Sequence, residues 1–214
     1  MEDQLDLALT RPGAGWLLVC CALAAAVLCV PVARLLGGRP GRTLLALLAL
    51  APILVFTAPL EAPGWQDGAV ARLADYVRSF LHAATFHAEL DAPASPDERM
   101  ANLLLFVPLG FFGALATRRA VSTAIAAAAL SFGIEGWQAV SGVRVATAAD
   151  WLYNSSGALI GAAAGLVVLA VIRLAAPAAE PSPPVVPTAG DETTVNLTPV
   201  QSRNGGTPVR VPPW

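Results

Sequence analysis

Lysine is absent from this 214-residue chain, and charged residues of all kinds make up only 13% of it. A water-facing domain carries about 25%. The shortfall excludes an ordinary soluble globule as the whole of the protein. Formal net charge is −2, so no basic field recommends a nucleic-acid partner. Soft metal ligands are equally scarce, with three cysteines and two histidines. Cys20, Cys21 and Cys29 lie inside one apolar run at no zinc or redox spacing, and neighbouring Cys20 and Cys21 diverge on a helix. They read as inert thiols in lipid. His82 and His87 are five residues apart and do not share a helix face. Neither a metal nor another cofactor is expected.

Apolar residues dominate instead, at 56% of the chain with a mean hydropathy of +0.62. A run of about 20 apolar residues crosses a bilayer core at 1.5 Å per residue. Five such runs are predicted, at about 16–36, 43–60, 100–117, 120–140 and 151–172, which makes the fold an all-α membrane bundle. Gly37 to Arg42 forms the first break, Pro59 and Pro63 the second, and Arg118-Arg119 the third. The first run is expected to be a retained helix rather than a cleaved leader. Glu2, Asp3 and Asp6 outweigh Arg11 before it, where a signal peptide needs positive charge.

Three stretches lie outside the spans. Residues 1–15 form a short leading segment. Between the second and third spans, Val70, Leu73, Val77, Phe80, Leu81 and Ala84 recur at helical spacing. Two forms suit that pattern: an amphipathic helix on the membrane surface, or a helical linker over the bundle. From Pro177 onward, Pro, Gly, Ser and Thr prevail, and the segment 177–214 is expected to be disordered beside a transmembrane domain at 16–176. Arg34, Arg39, Arg42, Arg118, Arg119 and Arg173 fall on one side of the membrane. The other side holds Arg11, Arg72, Arg78, Arg99 and Arg144, diluted by seven carboxylates between Glu61 and Glu98. Basic clusters stay in the cytoplasm, so the N-terminus is expected outside and the C-terminal tail inside.

Polar groups within apolar spans carry the functional argument, since a central charge costs about 2.5–3.5 kcal/mol there. Ser131, Glu135 and Gln138 share one face of the fourth span. Asp150, Asn154, Gly157, Gly161 and Gly165 share one face of the fifth, polar at its start and a small-residue ridge thereafter. The ridge is expected to pack helices, within the chain or in a homo-oligomer. Asn102 opens the third span, and Arg144 lies between the last two. Antiparallel neighbours joined by short loops bring Asn102, Glu135, Gln138, Arg144, Asp150 and Asn154 to one membrane depth. Pairing of Arg144 with Asp150 would leave Glu135 partly desolvated and raise its pKa. The cluster reads as a polar clasp between helices, or as a clasp that also serves as a ligand or catalytic site. Pro108, in Phe106-Val107-Pro108-Leu109-Gly110, is expected to kink the third span.

Asn102, Phe106, Pro108 and Gly110, then Ser131, Glu135 and Gln138, then Arg144, Asp150, Asn154, Gly157 and Gly161 follow one another in an order and spacing that resembles the VanZ-like family. The resemblance covers about 60 residues. It departs at Thr147, where the family usually carries an acidic residue. It implies a multispanning membrane protein of the bacterial envelope, and the founding member is associated with low-level resistance to the glycopeptide teicoplanin. Three functions compete. The first is non-enzymatic binding of a glycopeptide, a lipid headgroup or a cell-wall precursor at the polar cluster. The second is an intramembrane enzyme with Glu135 as acid or base and Asp150 as its partner. The third is a transporter or flippase component, disfavoured by the lack of an internal repeat.

Overall fold

The structure, a computed structural model, describes residues 13–57, 67–91, 96–142 and 145–175. Within them lie seven helices: α1 (Ala14–Leu36), α2 (Pro40–Thr57), α3 (Ala69–Leu81), α4 (Ala83–Asp91), α5 (Pro96–Thr117), α6 (Ala120–Ser141) and α7 (Ala148–Ala175). Five of them, α1, α2, α5, α6 and α7, are long and apolar enough to cross a membrane. The chain is a helical membrane bundle. Residues 1–12 of the expected leading segment and the Pro-rich tail from 177 lie outside the described residues, and Ala14 and Gly15 already belong to α1.

Helix boundaries follow local chemistry. Gly37 ends α1 in the left-handed region at φ 65°, where its N–H reaches the carbonyls of Ala33 and Arg34. The turn expected through Arg42 is shorter than that. Pro40 starts α2, because proline suits a first helical position whose N–H would go unused. For the same reason α5 starts at Pro96, with Asp97 and Glu98 in its first turn, where carboxylates favour the positive end of the helix dipole. Pro108 sits inside α5, which continues as helix through it. A two-residue turn, Arg118 at φ 59° and Arg119, joins α5 to α6.

The helix α5 is central and packs against α2, α6 and α7, most extensively against α7. Phe106 and Ile53, both fully buried, anchor the core with Ala127, Ile134 and Ala158. Side chains are nearly absent between α5 and α7. A methyl built at Gly157 would land on the Leu103 carbonyl, one at Gly161 on that of Val107, and one at Gly110 on that of Ala158. One at Gly165 would press on Phe111. The small-residue ridge therefore lies against α5 of the same chain, with α5 carbonyls spaced four apart facing α7 glycines spaced four apart. Such closeness favours dispersion and Cα–H···O contacts.

The segment before α5 differs from a single amphipathic helix. His82 adopts an extended conformation and divides it into α3 and α4. The apolar stripe divides as well. Ala69, Tyr76 and Ser79 are buried against the bundle, whereas Val70, Val77 and Leu81 remain exposed. Asp75 and Arg78, on a third face, form an exposed ion pair. Helix α3 thus offers one face to the bundle, one apolar face outward and one polar face. The helical linker over the bundle is observed, with an apolar face left outward as well.

Candidate functional site

The polar cluster forms where α5 and α7 begin and α6 ends. Asn102, in the second turn of α5, donates from Nδ2 to Oδ1 of Asp150 at 2.6 Å and ties the starts of α5 and α7 together. Asp150 stands in the first turn of α7, and its backbone N–H donates to the Thr147 hydroxyl at 3.0 Å. Thr147, which breaks the family pattern, thereby caps the helix that carries Asp150. One turn deeper, Asn154 donates to the Ser131 hydroxyl at 3.0 Å and joins α7 to α6. Gln138 takes a different partner. Its Nε2 donates to the carbonyl of Thr57 at 2.7 Å, at the end of α2. Glu135, only 3% exposed, lies on α6 between these two links.

Of the expected set, Asn102 and Asp150 meet directly, Asn154 meets Ser131, and Gln138 anchors α2. Arg144, and with it the expected Arg144–Asp150 pair, lies outside the described residues. Among the described residues, no three His, Cys, Asp or Glu side chains gather as a metal site.

Three residues that the sequence pattern did not single out belong to this end of the bundle. Arg72 of α3 donates to the carbonyls of Ala139 at 2.8 Å and Val140 at 3.0 Å, and so covers the C-terminal end of α6. A guanidinium there meets both the unused carbonyls and the negative end of the dipole. Glu89 of α4 accepts from the N–H of Ala148 at 2.7 Å, at the positive end of α7. The pair α3–α4 thus grips both sides of the α6–α7 connection. Between the grips stands Tyr76. It is 3% exposed, and its ring packs on Phe80 and Phe132, each with centroids 5.2 Å away. Phe80 in turn meets Trp151 of α7 edge-on at 5.2 Å. Burial first, and then the carboxyls of Glu135, Glu89 and Asp150, hold the Tyr76 phenol well above the ordinary tyrosine range. The signal available in the sequence was the helical spacing of Arg72, Tyr76 and Phe80 with Ala69, one face of α3 that mixes a cation, a phenol and a ring.

The opposite end of the bundle is basic. Arg42 donates to the carbonyl of Leu115 at 3.3 Å, near the end of α5. Gly38 lies against the carbonyl of Ala116, and Arg118 and Arg119 turn the chain between α5 and α6. Acidic and amide groups thus collect where α5 begins, and the tight arginine clusters where it ends.

Comparison with curated proteins and with solved structures gives no match. The family model described as VanZ/LLP1 matches residues 43–173, which runs from the first turn of α2 to the last turn of α7 and includes every residue of the polar cluster. With three tied helix ends, a covering helix pair and that match, the chain belongs to the VanZ/LLP1 family of membrane proteins.

Proposed function

We propose that this protein is a non-enzymatic component of the bacterial envelope that binds the polar head of an amphiphilic envelope molecule at the Asn102–Asp150 end of its bundle. A glycopeptide antibiotic, a lipid headgroup and a cell-wall precursor all suit that description, and the outcome is a contribution to teicoplanin-type resistance. The observation that carries the reading is the hydrogen bond from Asn102 to Asp150 beside buried Glu135. Ionisable groups at membrane depth are costly and so point to a function, and these are concentrated at one end. The basic residues at the other end favour a cytoplasmic placement for that side, which turns the cluster outward.

The test is genetic and direct. A strain lacking the protein is profiled against envelope antibiotics, then rescued with wild type, Glu135→Gln or Asp150→Asn. Wild type restores the parental profile and both variants fail to. Rescue by both variants at wild-type membrane levels refutes the reading.

A second reading, an intramembrane acid–base enzyme, is favoured by the unlike settings of Glu135, which is buried, and Asp150, which is half-buried and bonded to Asn102. Turnover of a lipid-linked substrate that survives Glu135→Gln removes it.

A further inference from the structure

The residues above leave two buried polar atoms without a partner. One is the Tyr76 hydroxyl and the other is Oδ1 of Asn154. Both side chains are almost wholly enclosed, at 3% and 1% exposure. A buried donor or acceptor left unmade is costly, so it invites a reason outside the folded chain. The orphans are complementary in kind: a phenol can donate, and an amide oxygen can only accept. They also share a neighbourhood. Asn154 is one helical turn from Asp150 on α7, and its partner Ser131 is one turn from Glu135 on α6. Tyr76 packs on Phe132, next to Ser131 in sequence, and lies in the field of Glu135, Glu89 and Asp150.

Resting on the binding function proposed above, we propose that Tyr76 is the ligand-facing hydrogen-bond donor of the site and that the group bound there is an ammonium with an oxygen acceptor beside it. The carboxyl groups and the Asn154 oxygen accept from the ammonium, and the Tyr76 hydroxyl donates to the neighbouring oxygen. The rings of Tyr76, Phe80, Phe132 and Trp151 form an aromatic neighbourhood suited to a cation. Such an amino-alcohol pattern occurs in ethanolamine phospholipid headgroups and in amino sugars carried by envelope saccharides. The exposed apolar stripe of Val70, Val77 and Leu81 keeps α3 level with the acyl chains that accompany either source.

The experiment uses the full-length protein in a non-ionic detergent and follows indole fluorescence. Three probes are titrated: short-chain phosphatidylethanolamine, its N-acetylated derivative, and an alkyl glucosaminide. Wild type binds an amine-bearing probe, and N-acetylation weakens binding at least about tenfold, equivalent to about 1.4 kcal/mol. Saturation by the phospholipid identifies the bilayer as the source, and saturation by the glucosaminide alone identifies a saccharide. Tyr76→Phe weakens the same probe about tenfold while its melting temperature stays level or rises, because the hydroxyl removed has no partner in the free protein. Tyr76→Phe that binds like wild type overturns the role of Tyr76. A clear fall in its melting temperature does so too, since the hydroxyl would then serve the fold. Equal binding of the N-acetylated probe, lost in Asp150→Asn, overturns the ammonium and leaves the binding function standing. Failure of all three probes on wild type overturns the ammonium, and the rescue experiment then decides the binding function separately.

Discussion

Substitution of Gly157 by alanine adds one methyl, and the structure fixes what that methyl must do. It meets the backbone carbonyl of Leu103, which has no rotamer by which to move aside. Ordinary contact requires α7 to retreat from α5 by roughly 1.4 Å. Leu103 follows Asn102 directly, and the Asn102–Asp150 bond is 2.6 Å long. A retreat of that size stretches it to roughly 4 Å, past the limit of a hydrogen bond. Overpacking costs about 1–3 kcal/mol, and an interhelical hydrogen bond in a membrane adds about 0.6 kcal/mol. The total is about 2–4 kcal/mol. At about 2–4 °C per kcal/mol for a chain of this size, the melting temperature falls by roughly 4–16 °C. The assay is thermal unfolding of the purified protein in detergent, followed by tryptophan fluorescence. Gly133→Ala is the control, because a methyl there meets nothing within 4 Å and alanine favours a helix over glycine. Equal melting temperatures for Gly157→Ala and Gly133→Ala would refute the close-approach argument.

Two further outcomes follow from the covering helices and their buried phenol. Arg72→Ala strips the guanidinium from the carbonyls of Ala139 and Val140, at a cost of about 1–3 kcal/mol. Residues 69–91 should then exchange amide hydrogens faster than α5, and unchanged protection would contradict the grip. Tyr76 ties stability to alkali: its folded pKa lies above the unfolded value near 10.0, so the folded state holds the proton longer. That stability is fully present below about pH 10 and is lost as pH rises beyond it. Wild type should therefore lose more stability than Tyr76→Phe between about pH 10 and 11.5 in denaturant titrations; parallel losses would count against the buried phenol.

The spans were legible because they are long and because lipid enforces one rule, that every backbone group be satisfied within a helix. The packing face of α7 was legible too, as glycines four apart announce a face with nothing on it, but that α5 covers it was not. Partner choice was not. Gln138 and Asn154 lie near one another on paper, yet one reaches α2 and the other reaches Ser131, since direction depends on how helices are rotated. The roles of Arg72, Glu89 and Tyr76 were hidden for a further reason. Spacing alone treats an amphipathic helix as having two sides, whereas α3 has three, and its bundle side mixes polar and apolar residues. Thr147 shows the converse, as a residue defined in sequence by what it replaces is defined in structure by the N–H it caps.

The bare contact between α5 and α7 has a mechanical consequence. Side chains absorb displacement by changing rotamer, and backbones in direct contact cannot. From Asp150 to Gly165 the helix rises about 22 Å, much of the roughly 30 Å hydrocarbon thickness, and Gly157, Gly161 and Gly165 leave that length without a cushion. The two helices behave as a single stiff rod. A push on Asp150 at one surface arrives at Phe111, in the other half of α5, with little lost on the way.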